Sequence, residues 1–169
     1  NMIIKILKTN QLNKNLIKKI CLLKNQEWNY GLNSNIKWFK YNVYDDDLNF
    51  LIFYNSNLIA YNCLRKRNFY DPSRRIKKKK IFIFDSFIVK KNFRNKGIAK
   101  KLLLYNNLYL KKYRLISFLL CKNKMKYFYK KLGWRNLNMK KQNIINHKTN
   151  LNHMSFNIKI RKPNLLIYF

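Results

Sequence analysis

Residues 81–105, IFIFDSFIVKKNFRNKGIAKKLLLY, constrain the chain more than any other stretch. Nine nearly continuous apolar positions, Ile81 to Val89, predict a central strand covered on both faces. A basic turn follows, and then Ile98, Leu102, Leu103, Asn106 and Tyr109 or Leu110 recur at helical spacing. The turn holds Arg94-Asn95-Lys96-Gly97-Ile98-Ala99. Gly97 and the small Ala99 let backbone N–H groups approach a ligand where a helix opens with unpaired donors and partial positive charge. A strand, a tight turn and a helix in that order make an anion site of the size of a pyrophosphate.

A second block repeats the plan. Arg114 to Cys121 (RLISFLLC) reads as another buried strand. Asn123 to Trp134 reads as a helix with Met125, Phe128, Tyr129 and Leu132 on one face, Gly133 as its left-handed C-cap, and Lys130 and Lys131 facing its negative end.

At these two blocks the chain resembles the GCN5-related N-acetyltransferases. Arg94 to Ala99 is similar to their motif A, (Arg/Gln)-x-x-Gly-x-(Gly/Ala), and Phe128-Tyr129-Lys130-Lys131-Leu132-Gly133-Trp134 to the end of their motif B. The resemblance covers residues 81–134; elsewhere it extends to the order of elements. It implies an α/β fold with a mixed, mostly antiparallel central sheet, about four flanking helices and a splayed pair of parallel strands. It also implies acetyl-coenzyme A as cofactor, held along Phe87, Ile88 and Val89, over Arg94, Asn95, Lys96, Gly97, Ile98, Ala99 and Lys100, and beside Asn123 and Phe128. Asn123 lies one position from where the family's asparagine falls, with Lys122 there instead.

The same resemblance assigns chemistry. A backbone N–H near Val89 or Lys90 would face the developing oxyanion. Tyr129 matches the tyrosine that protonates the departing thiolate, a role suited to a phenol because its pKa of about 10 exceeds that of a thiol near 8.5. Asp85 interrupts an apolar strand, where an ionised carboxylate is costly unless paired. It reads either as the base that takes the amine proton or as a structural carboxylate bonded to a cation or to backbone.

Composition sets the remaining bounds. A length of 169 residues and 47% hydrophobic content suit one domain spanning the chain. No run of about 18 apolar residues suggests a membrane span, and no signal-peptide pattern is seen, so the expectation is a cytoplasmic protein. Asn1 before Met2 reads as a remnant without functional content. Cys21, Cys63 and Cys121 are odd in number and widely spaced, and His147 and His153 are isolated, so packing thiols and no metal site are expected. Cys121 has no neighbouring base to make it a nucleophile.

The net charge is +32, from 38 Lys and Arg against 6 acids. Such an imbalance suits a polyanion partner, with Lys and Arg on phosphates and Tyr or Phe on bases. It equally suits a bias toward residues with A/T-rich codons, since the basic residues are spread along the whole chain. The one dense run, Arg74 to Lys80, reads as a solvated loop. Asp45-Asp46-Asp47 reads as a solvated turn or as an attractor of a cationic amine.

The other elements follow from pattern. Met2 to Leu7 reads as a strand, and Leu12, Leu16, Ile17, Ile20 and Leu23 as the stripe of a first helix over Gln11 to Asn25. A looser segment runs through Trp28, Trp38 and Phe39. Leu48 to Tyr54 and Leu58 to Arg67 form a hairpin across Asn55-Ser56-Asn57. Arg135 to Asn152 reads as a weak strand and a long loop, and Met154, Phe156, Ile158 and Ile160 as the inner face of a half-buried strand. Leu165 to Phe169 is an apolar tail that, with exposed edge strands, is compatible with a homodimer, and the sequence leaves monomer and homodimer both open.

Three functions stand at this point: an N-acetyltransferase with an unidentified primary-amine acceptor, a non-catalytic coenzyme A-binding homologue of that family, and a basic nucleic-acid-binding module.

Overall fold

The computed structural model describes residues 1–71, 76–137, 144–145, 151–157 and 166–168. Two compact units divide these residues. The strands make a mixed, mostly antiparallel sheet, and four helices accompany them.

The first unit is Asn1–Arg65 with Phe84–Asn106. It contains β1 (Met2–Lys8), α1 (Lys14–Asn25), α2 (Leu32–Asn42), β2 (Leu48–Tyr54), most of β3 (Asn57–Asp71), the end of β4 (Ile76–Val89) and the start of α3 (Ile98–Lys112). β1 pairs antiparallel with β2, from Met2↔Tyr54 to Lys8↔Leu48, and β2 antiparallel with β3. The β2–β3 turn is made by Asn55 and Ser56, with φ of 45° and 64°, the backbone that the right-handed strand twist favours in a two-residue hairpin. Asn13 caps α1, its side chain accepting from the Leu16 amide at 2.8 Å. Ile20, Cys21 and Leu23 of α1, Phe39 of α2, Leu51, Tyr61 and Cys63 of the strands, and Ile88 of β4 form one buried cluster.

Helix α2 occupies part of the segment that the sequence leaves irregular. Its inner face carries a buried polar residue, Asn35, whose amide donates to the carbonyls of Gly31 and Trp28 and to Asn25 Oδ1. A polar residue satisfied in this way breaks the apolar period without breaking the helix. The Asp triplet also departs from a simple solvated turn, because Asp47 is 1% exposed and accepts from the Tyr44 amide at 2.8 Å. Asp45 and Asp46 are exposed.

The second unit is Lys66–Ile83 with Asn107–Phe169. The first part of β4 runs parallel to β5 (Ser117–Cys121) through Phe82↔Ser117 and Ile83↔Phe118. β5 pairs antiparallel with β8 (Asn152–Phe156), and β8 with the short β6 (Arg135–Asn136). α4 (Lys126–Lys131) follows a single 3-10 turn, Asn123–Met125, so the predicted helix is split into two pieces. Trp134, Phe118, Met154 and Phe156 fill this core.

Three sequence readings change here. The basic run is not wholly loop, because Ile76–Lys80 belongs to β4; a strand commits only its backbone, and Lys80 stays exposed. Residues 72–75, which hold Arg74 and Arg75, lie outside the described residues. β8 is buried at Met154, Ser155 and Phe156 rather than alternating, so both faces of the strand are covered there, and it ends at Asn157, which has φ 61°. Ile158 and Ile160 lie outside the described residues. The apolar tail contains β9 (Leu166–Tyr168), which pairs antiparallel with β3 and parallel with β7 (Ile144–Ile145).

Candidate active site

In the first unit the end of β4 leads into a turn of unusual backbone. Lys91–Phe93 forms a 3-10 turn, Asn95 and Gly97 have φ of 60° and 75°, and α3 opens at Ile98. The first helical bond of α3 is from the Lys101 amide to the Gly97 carbonyl, 3.0 Å. Among the described residues, the amides of 95–100 have no protein acceptor. Asn95, Lys96, Gly97 and Lys100 are exposed, and a Cβ at Gly97 would meet nothing within 4 Å. Successive donors in open space at the positive end of a helix are what a diphosphate requires.

Arg94 takes a different part from its neighbours. Its own amide is bonded to the Lys91 carbonyl, its Nε donates to the Val89 carbonyl at 3.0 Å, and its guanidinium pairs with Glu27 at 2.8 Å. It tethers the turn to the strand end. The open amides therefore begin at Asn95. The Lys90 amide is likewise used, donating to the Ile59 carbonyl at 2.8 Å. Ile88 faces the core, 2% exposed, Val89 is buried at 9%, and Phe87 is half-buried with its ring 5.3 Å from that of Phe84.

Asp85 sits just before a break in β4, where Ser86 has φ 55° in mid-strand. Holding a non-glycine residue there costs about 1–3 kcal/mol, which neighbouring contacts must offset. The Ser86 amide donates to Asp85 Oδ1, and Arg65 pairs with Asp85 Oδ2 at 2.7 Å. Arg65 is buried, and its guanidinium lies 5.6 Å from the Trp38 ring centre. Lys24, 4% exposed, places Nζ 3.2 Å from the Trp38 ring centre and donates to Ser86 Oγ at 3.2 Å. Burial pushes the Lys24 ammonium down to about 8, against the pull of Asp85 in the other direction.

Sequence reasoning passed over Lys24, Trp38, Arg65 and Ser86. One signal for Lys24 was present: it lies four residues after Ile20 and seven after Ile17, on the apolar stripe of α1 where a solvated lysine has no place. Ser86 and Arg65 gave none.

The second unit gathers Asn123, Phe128 and Tyr129. Asn123 is exposed in the 3-10 turn, Phe128 is half-buried, and Tyr129 is 5% exposed. The Tyr129 ring meets those of Phe128 and Trp134 at 5.4 and 6.1 Å. Burial, with Cys121 nearby, raises the Tyr129 phenol well above its ordinary range, so it carries its proton throughout neutral pH. The end of α4 is a closed cap: Trp134 N–H donates to Tyr129 O and Gly133 N–H to Lys130 O, each 3.1 Å, with Gly133 at φ 90°. Cys121 is buried, its thiol also raised by burial and 3.7 Å from Met154 Sδ, which suits packing. Cys21 and Cys63 are buried and free as well. Among the described residues no three His, Cys, Asp or Glu side chains group to hold a metal, and no helix is long and apolar enough to cross a membrane.

Comparison with known proteins gives a consistent picture. The family profile described as acetyltransferase (GNAT) domain matches residues 45–136, more than half of the chain. No curated protein matches the sequence. Among solved structures, Escherichia coli ElaA is similar with a TM-score of 0.67 at 13% identity, over 92% of this chain and 99% of that one. Tetrahymena GCN5 gives 0.63 at 17% identity, over 90% and 94%. An aminoglycoside 6'-N-acetyltransferase complexed with coenzyme A gives 0.64 at 12% identity, over 90% and 96%.

Proposed function

The chain belongs to the GNAT acetyltransferase family, and from that premise we propose that it is an N-acetyltransferase, moving an acetyl group from acetyl-coenzyme A to a primary amine within a ternary complex. The observation that carries this reading is the run of amides at 95–100, without an acceptor among the described residues, where α3 begins, with Gly97 leaving open space above them. They fit a diphosphate, and the aminoglycoside acetyltransferase of like fold was crystallised with coenzyme A. When bound, acetyl-coenzyme A supplies an acetyl group activated as a thioester.

The chain's own residues then divide the work. Amides 95–100 hold the diphosphate; Lys96 and Lys100 add positive charge beside it. Arg94, tied to Val89 and Glu27, fixes the turn against the strand end rather than touching the ligand. Val89 supplies the backbone N–H proposed to face the carbonyl oxygen, because the Lys90 amide is already used. Tyr129, kept protonated by burial, is the proton donor to the leaving sulfur. Phe87, Ile88, Asn123 and Phe128 complete the proposed cofactor contacts.

Titration calorimetry with acetyl-coenzyme A tests the reading. Binding in the micromolar range is expected, and no heat at about 100 micromolar, a weak cofactor affinity, would discard it. Release of free coenzyme A thiol in the presence of an amine separates an enzyme from a cofactor-binding homologue.

A further inference from the structure

Two cations, Lys24 and Arg65, share one carboxylate, Asp85, in the first unit. Every neighbour of Lys24 bears on its charge. Cys21 on its own helix, Trp28 after it, Trp38 on α2, Cys63 and Arg65 on β3, and Asp85 and Ser86 on β4 all face it. Arg65 holds Asp85 through Oδ2 at 2.7 Å, which fixes the carboxylate and leaves Oδ1 as the oxygen on the relay side. Burial brings the Lys24 ammonium down to about 8, so this sealed amine can change charge near that pH.

The geometry links that amine to the surface. Arg65 takes Asp85 Oδ2 and leaves Oδ1 toward Ser86, whose Oγ lies 3.4 Å away and 3.2 Å from Lys24 Nζ. The Asp85 side chain is 28% exposed, whereas Lys24 and Ser86 are at 4% and 5%. The path thus begins in solvent and ends on a sealed amine resting on an indole face. The strained φ of Ser86 is what sets its hydroxyl in the middle. The 3.4 Å step is long for a hydroxyl bond, as catalytic bonds commonly are before substrate binds.

We propose that Asp85, Ser86 and Lys24 form a proton relay that draws off the proton of the acceptor amine, with the Lys24 amine as its final acceptor. This rests on the acetyltransferase reading. The acceptor ammonium gives a proton to Asp85 Oδ1; Asp85 passes it to Ser86 Oγ as the original hydroxyl proton moves to the Lys24 lone pair. The net change is R–NH3+ plus neutral Lys24 to R–NH2 plus Lys24 ammonium. Asp85 and Ser86 end as they began, and no bond to carbon changes. The 3.2 Å spacing of Lys24 Nζ and Ser86 Oγ serves both states, N–H to Oγ when the relay is loaded and O–H to Nζ when it is empty. Asp85 is here the entrance and a positioning carboxylate rather than the final base.

Two measurements test this together. Tryptophan emission, sensitive to an ammonium 3.2 Å from the Trp38 ring centre, is followed through pH 8, where a midpoint is expected in the wild type, a smaller one in Trp38→Phe from Trp28 at 5.8 Å, and none in Lys24→Met. Thiol release from acetyl-coenzyme A is followed with spermidine, benzylamine and a lysine peptide as probe amines. Because neutral Lys24 is the active form, kcat/KM should rise as pH passes about 8. Lys24→Met should lose that rise and fall by about 100-fold, the usual worth of a general base. Ser86→Gly, which accepts a positive φ freely, should keep the emission midpoint yet lose about 10-fold or more in rate. A flat wild-type emission curve, a pH–rate rise that survives in Lys24→Met, or wild-type rates in Ser86→Gly would each overturn the relay alone. Wild-type protein that turns over none of the probe amines would remove the acetyltransferase reading as well.

Discussion

Gly97 and Gly133 stand at opposite ends of two helices, both with positive φ, and they do different things. Among the described residues, a Cβ at Gly97 would meet nothing within 4 Å, and the amides around it have no acceptor. At Gly133 a Cβ would come to 3.4 Å from the Phe156 ring, and the neighbouring amides of Gly133 and Trp134 are both bonded. One turn is left unfinished by the fold; the other is finished by it. A glycine in a left-handed turn therefore says little until one asks where the adjacent N–H groups go.

That contrast can be broken by substitution. Trp134→Ala should have the largest effect: a buried ring and its bond from Nε1 to Asn107 Oδ1 at 3.0 Å are lost, for about 4 kcal/mol of stability. Denaturant unfolding would register it; a loss under about 1 kcal/mol would show that this core is looser than described. Gly97→Asp should instead act on binding, placing a carboxylate at the proposed diphosphate site and weakening acetyl-coenzyme A by about 100-fold in calorimetry, on the order of 3 kcal/mol. Equal affinity in Gly97→Asp and wild type would mean the turn is not the cofactor site.

The next effect lies in pH. The folded-state pKa of Lys24 is depressed from 10.5 to about 8, so the unfolded chain binds more protons between those values and stability should rise with pH across that window. The contribution of this one group is on the order of 3 kcal/mol. The gap in unfolding free energy between wild type and Lys24→Met should change by that amount from pH 8 to 10.5, and a constant gap would contradict the sealed amine. Smallest is Gly133→Ala, about 1 to 2 kcal/mol from the left-handed backbone, with acetyl-coenzyme A affinity unchanged. A weakened affinity there would merge the two turns into one function.

Legibility in the sequence followed the range of the forces involved. The β4–turn–α3 unit was readable because its signals, an apolar run, a glycine and a helical stripe, are consecutive. The C-cap at Gly133 was readable for the same reason, as was the Asn55–Ser56 turn. Helix α2 was hidden by Asn35, whose burial is tolerated only through partners at Asn25, Trp28 and Gly31. β4 was read as beginning at Ile81, because Lys77 to Lys80 say nothing about whether their backbone is paired. The Lys24, Arg65, Asp85 and Ser86 cluster brings α1, β3 and β4 together, and no local pattern encodes a contact over 62 residues of chain. At Arg94 the motif was recognisable, yet its side chain turned out to brace the turn.

The three cysteines carry a practical meaning. Cys21, Cys63 and Cys121 are all buried, and burial lifts each thiol, Cys21 to about 11. Thiolate is the reactive species toward disulfide dyes, so the native protein should be silent to such a reagent. In an assay for coenzyme A release, any colour would then come from the released thiol, with no background from the chain's own cysteines.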